Sequence, residues 1–131
     1  NIDLIRKRAE RKNHTHIIPL HDEHMVSRIH PDIPKVDMIF SMGVMDHIQN
    51  MKQVAKDMAS VLPENGRICM VEYTDYFLGL IPNSGWIADV EELQKIFREA
   101  GFSIRVVKWK GILWNYTCLY GLKNDKDIVM I

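Results

Sequence analysis

The chain has 131 residues, enough for one domain with its own core, and its 17 basic residues balance 17 acidic ones. A neutral chain has no electrostatic reason to bind nucleic acid or a membrane surface, so the expected partner is a small molecule. No apolar stretch reaches the roughly 18 residues of a membrane span, the first residues lack a signal-peptide core, and both cysteines sit in apolar runs, as suits reduced core thiols of a cytoplasmic protein.

Strong helix formers from Asp3 to Lys12, with Leu4, Ile5 and Ala9 able to share a face, predict an opening helix. Its basic residues, Arg6, Lys7, Arg8, Arg11 and Lys12, are interleaved with apolar ones and read as a solvated face. The run His16-Ile17-Ile18-Pro19-Leu20 predicts a short strand, pushed toward an edge by Pro19, and a short helix is expected between His24 and Ile29. Val36 to Ser41 then reads as a buried strand.

The next segment has a clear helical period, because Met51, Val54, Ala55, Met58, Val61 and Leu62 fall on one stripe. Asn50 and Gln53 stand where a capping box belongs, and Pro63-Glu64-Asn65-Gly66 supplies a stop. Ile68 to Tyr73 is nearly all apolar, the pattern of a strand covered on both faces. From Thr74 to Ala88 no period appears, and a long loop is expected. Asp89 with Glu92 repeats the capping box ahead of an apolar face (Val90, Leu93, Ile96, Phe97, Ala100), and Gly101 ends that helix. Phe102–Trp109 and Trp114–Leu122 flank Lys110-Gly111 as an antiparallel hairpin. The alternation predicts an α/β fold: a mostly parallel sheet with helices on both faces and a C-terminal antiparallel hairpin, over residues 1–123, with 124–131 as a tail.

In such sheets ligands sit beyond the carboxyl ends of the strands, which directs attention to three places. At His21-Asp22-Glu23 an acid can accept from the exocyclic amine of a base, or merely cap the following helix. At Ser41-Met42-Gly43 the small residues let backbone approach a ligand, and His47, beside Asp46, can act as a base or simply hold the loop. Glu72 and Tyr73, with Tyr76 and Trp86 of the long loop, can wall a substrate pocket or bury a satellite core. The six histidines show no spacing that completes a metal shell, so no metal is expected. No dinucleotide fingerprint, P-loop or nucleophile elbow is present.

The run Val36-Asp37-Met38-Ile39-Phe40-Ser41-Met42-Gly43-Val44-Met45-Asp46-His47-Ile48, then a helix, then Leu62-Pro63-Glu64-Asn65-Gly66-Arg67 and a strand, resembles the central portion of class I S-adenosylmethionine-dependent methyltransferases. Val90-Glu91-Glu92-Leu93 through Arg98-Glu99-Ala100-Gly101-Phe102 is similar to a later signature of the same family. The resemblance covers most of residues 14–123 and implies a Rossmann-like fold, S-adenosylmethionine as cofactor and methyl transfer to a small-molecule acceptor. It implies that Asp22 lies near the adenine amine, with Glu23 beside it in sequence, Ser41, Met42 and Gly43 beside the methionine part, His47 near the substrate as a catalytic base, and Glu72 and Tyr73 where substrate contacts begin; Tyr76 and Trp86 join them as pocket walls on composition alone. Two departures stand out. Asp46 takes the place of the first histidine of a pair, and the family's glycine-rich first loop and ribose-binding acid should precede the opening helix, whereas this sequence starts at Asn1. A sheet without its first strands exposes apolar edges, so a fragment or a unit completed by a second chain is expected. The alternative is a catalytically inactive methyltransferase-like binding or assembly module.

Overall fold

The computed structural model describes residues 2–21, 28–74, 89–113 and 115–124. The loop from 75 to 88, the tail beyond Asn124 and most of the short helix expected near His24 lie outside these residues. Within them, helix α1 (Ile2–Arg11) is followed by strand β1 (Met38–Met42), a 3-10 turn (Met45–His47), helix α2 (Met51–Val61), strand β2 (Arg67–Thr74), helix α3 (Val90–Glu99), and strands β3 (Phe102–Lys110) and β4 (Asn115–Lys123).

The strands form one sheet in the order β1-β2-β4-β3. β1 runs parallel to β2, and β4 lies antiparallel between β2 and β3, so three of the four strands point the same way. The expected hairpin is β3–β4, and β4 folds back into the middle of the sheet rather than extending its edge. Side chains in register share a face. One row across all four strands is Ile39, Ile68, Gly121 and Ile104, and the next is Ser41, Met70, Leu119 and Val106.

That face carries the core. The capping residues act as their positions predict: Asn50 accepts from the N–H of Gln53, and Asp89 accepts from those of Glu91 and Glu92. The α2 stripe, Met51, Val54, Ala55, Met58 and Leu62, packs with Leu93, Ile96 and Phe97 of α3 onto Ile68, Met70, Ile104 and Leu119. Both packed helices thus share one face of the sheet. On the opposite face Met38, Phe40 and Met42 of β1 are exposed by half or more, and Tyr120 by 44%.

The strand expected at residues 16–20 does not form: this stretch has no regular structure, and Ile17, Ile18 and Leu20 are exposed. Pro19 has no N–H to give a ladder. Of the apolar face expected for α1, only Ala9 is buried. Its end is nonetheless well made, with Asn13 at φ 54 and the N–H groups of His14 and Asn13 returned to Ala9 and Glu10 in a Schellman motif.

Asp57 ties the segment before β1 to α2. Its carboxylate accepts from Arg28 Nε at 2.7 Å, the Ile29 N–H at 3.2 Å and Gln53 Nε2 at 3.0 Å. The last carbonyls of α2 take two lysines from elsewhere in the chain: Lys123 Nζ donates to Ala59 and Leu62 at 2.6 and 2.7 Å, and Lys35 Nζ to Ser60.

Candidate functional site

β1 and β2 end side by side, with Ser41 against Met70 and Met42 against Val71. Past the last rung, the Gly43 N–H donates to the Val71 carbonyl at 2.9 Å and the chain turns with Gly43 at φ 65. That conformation strains any residue with a Cβ. A Cβ here would stand 3.4 Å from the Tyr73 ring, in ordinary contact, so it is the turn and not the aromatic that calls for glycine. The Tyr73 ring in turn lies 5.2 Å from that of Tyr116 on β4.

The turn leads into the 3-10 helix, whose first N–H groups need acceptors. Val44, in the N-cap position, offers no side-chain acceptor. The acceptor comes from the neighbouring strand: Glu72, 1% exposed, takes the Met45 N–H on one oxygen at 2.9 Å and the Tyr73 N–H on the other at 3.0 Å. Burial pushes the Glu72 carboxyl above its ordinary value, the Asp46 carboxylate adds to that, and the N–H groups of Tyr73, Met45 and Asp46 oppose it.

Among the described residues, two buried polar atoms in this region have no hydrogen-bond partner: the Ser41 hydroxyl and Asp46 Oδ1, both shielded from solvent. Such atoms are uncommon in a folded protein and call for a reason. His47 Nε2 stands 3.5 Å from Asp46 Oδ1 without making a hydrogen bond to it, an ion pair only when the imidazole is protonated. The imidazole itself is 75% exposed, facing outward from the turn.

The structure therefore brings Ser41, Met42, Gly43, His47, Glu72 and Tyr73 to one end of the parallel pair. Asp22, Glu23, Tyr76 and Trp86 lie outside the described residues. Glu72 is engaged with backbone on both oxygens, which makes it the clamp of the β1 turn. Asp46, passed over as a site residue on sequence, belongs to the same cluster. The available signal was an acid in an otherwise apolar strand, Ile68 to Tyr73, since a buried carboxyl must find donors. Among the described residues no three histidine, cysteine or acidic side chains are placed to hold a metal, and no helix is long and apolar enough to cross a membrane.

No protein-family model matches the chain, and no curated protein matches it in sequence. Solved structures do match. A SAM-dependent methyltransferase from Aquifex aeolicus superposes with a TM-score of 0.66 at 15% identity, over 93% of this chain and 63% of its own. The [4+2]-cyclase SpnF gives 0.66 at 15% identity, over 94% and 62%. The O-methyltransferase of a trans-AT PKS multienzyme from Brevibacillus brevis, in complex with S-adenosyl-L-homocysteine, gives 0.66 at 17% identity, over 94% and 55%. The chain thus has the Rossmann-like fold of these proteins and spans about three-fifths of the length of the first two.

Proposed function

We propose that this chain is the greater part of an S-adenosylmethionine-dependent methyltransferase domain acting on a small-molecule acceptor. The observation that carries the reading is the pair of buried oxygens that accept no hydrogen bond among the described residues, Ser41 Oγ and Asp46 Oδ1, flanking a glycine turn at the carboxyl end of the parallel pair. A cofactor with an ammonium and a sulfonium centre suits unpartnered acceptors at such a place. Ser41, Met42 and Gly43 would hold its methionine part, and Asp22 and Glu23 the adenine amine. When bound, S-adenosylmethionine supplies an electrophilic methyl group.

The chain's own residues contribute position and proton transfer. Glu72 fixes the turn through the Met45 N–H, and Tyr73 packs against Gly43, so the backbone beside the ligand is set before binding. His47, exposed at the rim, takes the proton from an oxygen or nitrogen acceptor. Tyr73, with Tyr76 and Trp86, walls the acceptor side. Further polypeptide, from the same protein or a second chain, completes the domain along the free edge of β1, where Phe40 is 60% exposed.

The same fold serves a [4+2]-cyclase, so the test must separate binding from transfer. Calorimetry of the full-length protein with S-adenosylmethionine and S-adenosylhomocysteine should give saturable binding to both. Gly43→Val should weaken both by roughly tenfold or more, about 1.4 kcal/mol, while His47→Gln should leave affinity intact and slow methyl transfer by about a hundredfold or more. A folded full-length protein that binds neither compound overturns the reading.

A further inference from the structure

Ser41 belongs to the strand end that meets the cofactor's methionine part, whereas Asp46 lies three residues past Gly43 and next to the proposed base, His47. The Asp46 side chain is 9% exposed, its Oδ1 accepts no hydrogen bond among the described residues, and His47 Nε2 faces that oxygen at 3.5 Å. A carboxylate taken out of water without a donor is costly. One that persists at the ligand end of a parallel pair therefore points to a donor brought by the ligand. A second acid stands close by: Glu72, 1% exposed, is near enough for the Asp46 charge to push its carboxyl up. Among the described residues neither acid is paired with a lysine or an arginine, and both Glu72 oxygens are taken by the N–H groups of Met45 and Tyr73. The Tyr73 ring, 5.2 Å from that of Tyr116, borders the same glycine turn, and aromatic faces attract cations as acids do.

We propose, resting on the methyltransferase reading above, that the methyl acceptor is an amine whose protonated nitrogen is held by Asp46. The ammonium donates one N–H to Asp46 Oδ1 and passes another proton to His47 Nε2, which leaves an imidazolium and a neutral nitrogen with its lone pair. When the N–C bond forms and the S–C bond breaks, the electron pair stays on sulfur and the positive charge arrives at nitrogen, where Asp46 receives it. A carboxylate so placed favours the transition state over the neutral amine that enters it. The same charge acts against an anionic acceptor, because a phenolate or a carboxylate would bring like charge against Asp46. Oδ1 is shielded from solvent, so the nitrogen enters as the exposed His47 imidazole turns aside.

The test uses the full-length protein loaded with S-adenosylhomocysteine, whose binding is measured first by calorimetry. Absence of that binding overturns the methyltransferase reading and this inference with it. Benzylamine, benzyl alcohol and benzoate are then titrated into the loaded protein at neutral pH, as matched probes with cationic, uncharged and anionic heads. Expected is saturable binding of benzylamine, about tenfold or more tighter than that of either other probe. Asp46→Asn, equal in size and uncharged, should abolish the preference while leaving the circular dichroism spectrum unchanged. Benzyl alcohol or benzoate binding as tightly as benzylamine overturns the proposal on the native protein alone, with the cofactor reading left standing. So does a loaded protein that takes up no benzylamine, or an amine preference that survives in folded Asp46→Asn protein.

Discussion

Glu72 and Asp57 are both carboxylates taken mostly out of water, and their surroundings move them in opposite directions. For Glu72 burial dominates, so the folded protein holds the proton more readily than the unfolded chain does. Below the ordinary value of 4.5 both states are protonated, and the favourable contribution is complete. As pH rises from there through the raised folded value, the unfolded chain ionises first and stability is lost. Glu72→Gln removes that slope. Urea midpoints measured across the acid range should show wild type losing ground to the variant as pH rises through this window. For Asp57 burial also pushes upward, but the hydrogen bonds from Arg28, Gln53 and the Ile29 N–H, with the Arg28 charge, win and lower its value. Its contribution is present above the ordinary 3.8 and disappears as pH falls through the lowered folded value. Asp57→Ala should cost about 1 to 3 kcal/mol at neutral pH, with most of the loss absent in strong acid. Arg28→Ala should cost less, because the guanidinium side chain is 67% exposed and solvent screens it.

Elements are joined by contacts no local pattern announces. α2 has no basic residue in its last turn, yet its final carbonyls are met by Lys123, which comes from the end of β4. Lys123→Met should lower stability by about 1 kcal/mol, read as a shift in denaturant midpoint without a change in slope. Gly121 is another such place. It sits in the inward row between Ile68 and Ile104, where an added Cβ would stand 2.6 Å from Ile68 Cγ1. Gly121→Ala therefore overpacks the sheet and should cost about 1 to 3 kcal/mol, with Ile68→Val in the same chain restoring part of the loss. The helices themselves were legible, because Asn50 and Asp89 cap through their own side chains and the apolar stripes are local. β1, β2 and the hairpin were legible too, as apolar runs between turn residues, but β1, expected to be buried, leaves Met38, Phe40 and Met42 exposed by half or more. The strand expected at 16–20 was not, since a run of that length becomes a strand only where a ladder accepts it.

At the scale of the molecule, one sheet face carries α2 and α3 while Met38, Phe40 and Met42 on the other face are exposed on β1, the outermost strand among the described residues. The chain should therefore associate through that face. Sedimentation over a range of concentrations checks the association, and Phe40→Lys should reduce it without unfolding the core, because Phe40 stands outside the packed cluster.

What the sequence by itself determined is the kind and order of the packed elements, since capping boxes, apolar periods and turn residues act over a few positions. It also determined that Ser41 to Gly43 and Glu72-Tyr73 follow or end strands, the places where such sheets bind. Only the tertiary structure decided that β4 inserts between β2 and β3, that Glu72 clamps the β1 turn, and that Asp46 joins the cluster. Each of these depends on strand register, and register is set by which faces are buried and which backbone groups find partners across the sheet, a choice made by the whole chain at once.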